Sequence, residues 1–387
     1  MAIMAAVDNK QSASLLLLLV CVAAGAVSAV NDGPLSNGNF EDSPDRSQMS
    51  GSTVTGEYAI PHWKCSGHVE YVEYDQKQGD TVLAVPEGAR AVRLGNEASV
   101  QQELSVDQGA YYSVTFSAAR TCAHTEKLEV AVTPGSRTGK IPIQTVYSSG
   151  GWDPYSWAFV AEAAVVSIVI RNPGQEDDAA CGPIIDAVAI KTLRPPPADQ
   201  NNMLKNGDFE EGPYISESSQ WSVLVPPTES GDVSPVPGWS IMSYTKAVKY
   251  IGSASFAVPR GGRAVELVSG VETALVQEVD TVPGRTYRLE FSAGDAGDGC
   301  VADGSDIQVQ AYAARESTSV SCNSQWTGAR YTRGMLEFTA IESRTRVVFA
   351  SAGYYTKSDG SGSLCGPVVD DVSLVGVPQP SGRRLLR

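Results

Sequence analysis

The chain has 387 residues, a formal net charge of −15 at pH 7, and 42% hydrophobic against 19% charged residues. Such a length sets a prior of two or three domains. The acidic balance disfavours nonspecific binding to nucleic acid or anionic lipid, which need a basic surface; it also opposes diffuse adsorption to an acidic polymer and leaves basic proteins as natural partners.

Taken from the start, the run LLLLLVCVAAGA (15–26) follows Lys10 and precedes Val27-Ser28-Ala29. It is short for a bilayer span, and the small residues after it predict a signal peptide over 1–29, cleaved after Ala29. No later segment is apolar and long enough to anchor the mature form, and no Asn-x-Ser/Thr sequon is present.

The first domain, 30–192, opens with LSNGNFED (Leu35–Asp42) and closes with CGPIIDAVAI (Cys181–Ile190). After a proline-rich linker at 193–202, the second, 203–378, opens with LKNGDFEE (Leu204–Glu211) and closes with CGPVVDDVSL (Cys365–Leu374). AVPEGARAVRL (Ala84–Leu94) likewise returns as AVPRGGRAVEL (Ala257–Leu267) in the same order. The chain is therefore a tandem duplication of domains of roughly 165 residues, each large enough to bury a core. Three consecutive prolines at 195–197 favour an extended, semi-rigid spacer between them. A basic tail, 379–387, follows the second copy.

Periodicity within each copy is two. YSVTFSA (Tyr112–Ala118), LEVAV (Leu128–Val132), VVSIVI (Val165–Ile170) and IIDAVAI (Ile184–Ile190) read as strands. YRLEFSA (Tyr287–Ala293), IQVQAYA (Ile307–Ala313), MLEFTA (Met335–Ala340) and TRVVFAS (Thr345–Ser351) do so in the second copy. With Gly and Pro turns and no crossover helices, the expectation is all-β: two tandem jelly-roll β-sandwiches.

Of seven cysteines, Cys21 leaves with the signal, and aligning the copies pairs Cys122 with Cys181 and Cys300 with Cys365. Each bridge closes about 60 residues, worth around 4 kcal/mol on the chain-entropy model. Cys65 and Cys322 have no counterpart and are either free or a bridge between domains.

First and last strands of such a sandwich often pair, which brings Glu41 near Asp186 and Glu210 near Asp370. Two carboxylates with turn carbonyls suit a structural calcium ion; alternatively the acids cap turns by accepting backbone N–H bonds. Aromatic residues cluster at Trp63, Tyr71 and Tyr74, at Trp152, Tyr155 and Trp157 in SSGGWDPYSWAF, and at Trp239, Trp326 and Tyr331. Trp63 and Trp239, in matched IPHW and VPGW, read as core, whereas 150–157 reads as an exposed loop whose rings suit the C–H face of a sugar. Arg90 and Arg263, at matched positions, are candidates for a uronic carboxylate or for structural ion pairs. Catalysis has little support. The three histidines, His62, His68 and His124, all lie in the first copy, no Gly-x-Ser-x-Gly elbow, zinc spacing or phosphate loop occurs, and the spacing of Glu70 and Glu73 points them to opposite strand faces.

NGNFED, IPHW, VEYV, AVPEGARAVRLGNEAS, FSAARTCA, YSSGGWDPYSWAF and ACGPIIDAVAIK, with LKNGDFEEGPY, VPGW, AVKYI, RAVEL, VPGRTY and LCGPVVDDV, resemble the plant cell-wall family called domain of unknown function 642, from about Asp32 to Val375. The resemblance implies two galactose-binding-like sandwiches similar to carbohydrate-binding modules, secretion to the cell wall, and binding of a matrix polysaccharide such as pectin or a cellulosic glycan. It also implies modulation of pectin methylesterase as the alternative role. It places Glu41, Asp186, Glu210 and Asp370 where related modules hold calcium, and it carries over no catalytic residue. Cys65, Cys322 and the basic tail depart from the family pattern.

Overall fold

The computed structural model describes residues 32–378, apart from 80, 123–124, 136–137, 195, 197–200, 228–232, 244–247, 302–305 and 323–330. The signal segment, the basic tail and half of the linker lie outside the described residues.

Each half is a jelly-roll sandwich. In the first, one sheet runs in the order Met49–Ser50, Thr53–Val54, Val69–Glu73, Arg90–Leu94, Ile184–Leu193, Tyr111–Ala119, Trp152–Val160. It faces a second sheet ordered Thr138–Pro142, Lys127–Thr133, Val165–Arg171, Ser99–Ser105, Lys64–Ser66. In the second half, Trp221–Leu224, Val248–Gly252, Arg263–Glu266, Pro367–Gly376, Thr286–Asp295 and Tyr331–Thr339 face Ser240–Met242, Ala274–Asp280, Arg344–Ser351, Gln308–Ala313 and Glu316–Ser321. The reason is visible in the alternation. In Lys127–Thr133, Leu128, Val130 and Val132 enter the core while Lys127 and Thr133 face water. The eight strands read from the sequence all form strands within a few residues at their ends.

The opening and closing motifs of each copy meet. Val188 N–H donates to Gly38 O at 2.8 Å, and Val372 N–H to Gly207 O at 2.7 Å. A Cβ on Gly38 or Gly207 would stand 2.1 or 2.0 Å from the carbonyl oxygen of Val188 or Val372, which is why both copies keep glycine there. Trp63 and Trp239 are fully buried, and each indole N–H donates at 2.9 Å to the carbonyl of the motif asparagine, Asn37 or Asn206. Disulfides join Cys122 to Cys181 and Cys300 to Cys365, with Cα–Cα distances of 5.7 and 5.6 Å. Cys65 and Cys322 are free and buried in separate cores, so they form no bridge between domains. Burial pushes their thiols up to about 11 and about 12.

Two expectations give way. Residues 152–157 are not an exposed loop but part of the strand Trp152–Val160, buried on both faces. Nor does a spacer hold the halves apart: Tyr155 and Ser156 pair in parallel with Val223 and Leu224, so a single sheet continues from the first sandwich into the second. Trp221, Val223 and Val225 of the second half join the first half's hydrophobic core. No helix among the described residues is long and apolar enough to cross a membrane.

Candidate functional site

The four acids expected as calcium ligands converge, in pairs, on one turn per copy. Glu41 Oε1 accepts the N–H groups of Ala89 and Arg90 at 2.6 and 2.9 Å, and Asp186 accepts those of Glu87 and Ala187 at 2.8 and 2.7 Å. In the second copy Glu210 accepts from Gly262 and Arg263 at 2.7 and 3.2 Å, and Asp370 from Arg260 and Asp371 at 2.8 and 2.6 Å. A cation shell needs oxygens aimed at a common point. Here oxygens of all four carboxylates meet the positive ends of N–H dipoles, and no group of three or more His, Cys, Asp or Glu placed to hold a metal occurs among the described residues. As it stands in the structure, the set is a clamp on the AVP turn. Gly88 and Gly261 are fixed by that clamp, since a Cβ at either would lie 2.2 or 2.1 Å from the Glu41 or Glu210 Oε1. Asp186 and Asp370 are fully buried, and burial, reinforced by Glu87 and then Glu41 in the first copy and by Asp371 and then Glu210 in the second, pushes their carboxyls up to about 8 and about 7.

The expected ligand residues are dispersed. Tyr155 and Trp157 are core side chains, and Trp152 is half-buried against the cluster of Val72, Leu83 and Ile184. Tyr155 and Trp157 cannot offer a face to a sugar, because the stretch read as a loop is a strand wanted by two cores. Tyr74 is 64% exposed in the turn just past Val69–Glu73, Tyr331 is half-buried at the start of Tyr331–Thr339, and Trp326 lies outside the described residues. Arg90 reaches Glu73 at 3.3 Å, whereas Arg263 donates to the Gly262 carbonyl at 3.4 Å. Glu70 faces inward to Arg93 while Glu73 is exposed, as the odd spacing requires.

What sequence reasoning missed is a cleft of about 320 Å³ where the halves meet. The half-exposed ring of Tyr111, with Leu193, comes from the first half; Lys205, Ser234, Pro237 and Ser240 come from the second. A cleft lined by an aromatic ring, prolines, two serines and a lysine can receive a polyhydroxylated ring.

A family model described as protein of unknown function DUF642 matches residues 33–191 and 202–375, one match per sandwich. The chain belongs to the DUF642 family. It is 52% identical over 374 residues to the Arabidopsis thaliana protein DUF642 L-galactono-1,4-lactone-responsive gene 1, covering 96% of this chain and 99% of that one. It is 50% identical to the gene 2 protein of the same plant, covering 95% and 98%. Among solved structures, the tandem CBM22-1–CBM22-2 domain of Paenibacillus barcinonensis Xyn10C covers 90% of this chain and 100% of its own, at 13% identity and a TM-score of 0.28.

Within this DUF642 chain the copies differ sharply at one matched place. In the first, Glu70 and Arg93 lie opposite each other on neighbouring strands, 3.1 Å apart; in the second, the same positions hold Lys249 and Glu266 at 2.8 Å, with the charges exchanged. Lys249 and Glu266 are fully buried, and the Lys249 ammonium lies 4.9 Å from the Trp221 ring centroid. Burial raises the Glu266 carboxyl and Lys249 opposes that shift. Asp153, buried in the first half, is pushed up to about 6 by the same desolvation, with Lys249 again opposing. The second pair therefore belongs to the junction between halves.

Proposed function

We propose that the protein is a secreted, non-catalytic cell-wall protein that binds a matrix polysaccharide, pectin or a cellulosic glycan, at the junction cleft. The observation that carries this reading is the cleft's composition: one exposed aromatic ring, two serines and a lysine, supplied by both halves. A ring C–H face stacks on Tyr111, hydroxyls exchange hydrogen bonds with Ser234 and Ser240, and Lys205 supplies a local cation for a uronic carboxylate. That cation matters because the net charge of −15 opposes an acidic glycan everywhere else. Retention of the mature protein on immobilised pectin, cellulose and xylan tests the reading. Tyr111→Ala is expected to weaken retention roughly tenfold without lowering Tm, and Lys205→Ala to weaken it only on uronate-bearing polymers. Failure of the wild type to bind any wall polymer overturns the reading.

The same charge supports a second role, an adaptor for a basic protein such as pectin methylesterase, because opposite net charge steers association. Its mark is an association rate that falls with salt; a salt-independent rate, or unchanged esterase activity, removes it.

A further inference from the structure

The two disulfides occupy matched places in the duplicated fold, yet their surroundings differ in the two properties that govern attack by a thiol, access and stabilisation of the departing sulfur. Cys122 is exposed and Cys181 half-buried, whereas Cys300 is 8% exposed and Cys365 not at all. Arg93 Nη2 stands 3.0 Å from Cys122 Sγ, and its Nε 3.4 Å from the Gly182 carbonyl. At the equivalent position the second copy has a carboxylate, Glu266, which accepts the Gly366 N–H at 2.9 Å. Glu126 accepts the Thr121 and Cys122 backbone N–H groups.

We propose that Cys122–Cys181 is a thiol-exchange site, with Arg93 holding the leaving sulfur, and that Cys300–Cys365 is a permanent structural bond. A thiolate from a small-molecule or protein thiol attacks Cys181 Sγ. The S–S bond breaks, a mixed disulfide forms on Cys181, and the bonding pair leaves on Cys122 as a thiolate beside the guanidinium. A second thiolate attacks the added sulfur, releasing the external disulfide and the Cys181 thiolate. Two thiols are oxidised and one protein disulfide is reduced, so the electrons balance. A cation beside a sulfur favours its thiolate form and hence its departure. The site lies at the opposite end of Tyr111–Ala119 from Tyr111, so it is independent of polysaccharide binding.

The test uses folded, full-length mature protein, dosed with glutathione or dithiothreitol without denaturant, quenched by alkylation and mapped by peptide mass. Cys122 and Cys181 are expected to be labelled at least about tenfold faster than Cys300 and Cys365, with the glutathione adduct on Cys181. Equal rates, or faster labelling of Cys300 and Cys365, overturn the proposal, and an adduct confined to Cys122 overturns the part given to Arg93. The neutral pair Glu70→Gln with Arg93→Gln removes the cation without stranding its partner and is expected to slow exchange severalfold. Continued resistance of Cys300–Cys365 in that variant reports that it is folded, and an unchanged rate in the folded variant removes Arg93 from the step.

Discussion

The same strand pair shows two faces of the duplication. In the first half, the outward positions of Tyr111–Ala119 and Trp152–Val160 are Ser113, Thr115, Ser117, Pro154, Ser156 and Ala158, all buried. Register places Arg288, Glu290, Ser292, Arg333, Met335 and Glu337 at those positions in the second half, with Met335 56% exposed. The small residues are covered by the second half: Ser156 Oγ lies 2.6 Å from Ser222 Oγ, and Thr115 Oγ1 donates to the Tyr214 carbonyl at 2.9 Å. The large residues pair among themselves, Arg288 with Glu337 at 2.8 Å and Arg333 with Glu290 at 3.5 Å, and Arg333 also reaches Asp371 at 2.7 Å. One ancestral face has thus become an interface in one copy and a solvated surface in the other, and side-chain size follows what lies above it.

The hardest blow to this contrast is to write the open face into the covered one. Ser156→Arg places an unpaired charge in the seam and is expected to cost about 4 kcal/mol, splitting a single urea transition into two. A loss under about 1 kcal/mol would mean that the seam is not sealed. Next come the exchanged ion pairs. Glu266→Gln is expected to cost about 3 kcal/mol, because it leaves the buried Lys249 ammonium facing the more distant Asp298 carboxylate at 3.8 Å, and Glu70→Gln about 1 kcal/mol, because Glu70 lies at the rim and the buried Arg93 keeps the Gly182 carbonyl. Equal losses would erase the distinction between a junction pair and a rim pair.

A pH titration of unfolding is finer. The Asp186 and Asp370 carboxyls keep their protons in the folded state to about 8 and about 7, while the unfolded chain releases them near the ordinary value of 3.8. Stability is then fully present at low pH and lost as pH rises towards those folded values. The urea midpoint should fall between about pH 5 and 8, and Asp186→Asn should flatten the upper part of that slope. A midpoint that rises across this window would show both clamps ionised. The smallest effect belongs to the open face, where Arg333→Ala is expected to change stability by no more than about 0.5 kcal/mol.

Much of this was legible in the chain, because it is written twice. The matched motifs located both sandwiches, the buried tryptophans and the cysteine pairs without reference to coordinates. The sequence also held the exchanged charges, RAVRL against RAVEL and VEYV against VKYI, as a difference between copies at matched positions. Residues 150–157 misled because a strand wanted by two cores loses its alternation, and the paired glycines before it imitate a loop. Nothing local could show the cleft, since Tyr111 meets Lys205 only after the halves dock. The acids were placed near one another by the strand order, but whether their neighbours offered N–H or C=O groups depends on turn geometry that residue identity does not fix.

The parallel pairing of Tyr155 and Ser156 with Val223 and Leu224 is a head-to-tail contact between unlike edges of similar units. Contacts of that class do not close on themselves; repeated, they grow into fibres. Here the next edge in line, Tyr331–Thr339, carries Arg333 and Glu337 where its counterpart carries Pro154 and Ala158. Charge on an edge strand deters further pairing. The outer edge of the second copy therefore carries a deterrent to further pairing that the matched edge of the first copy lacks.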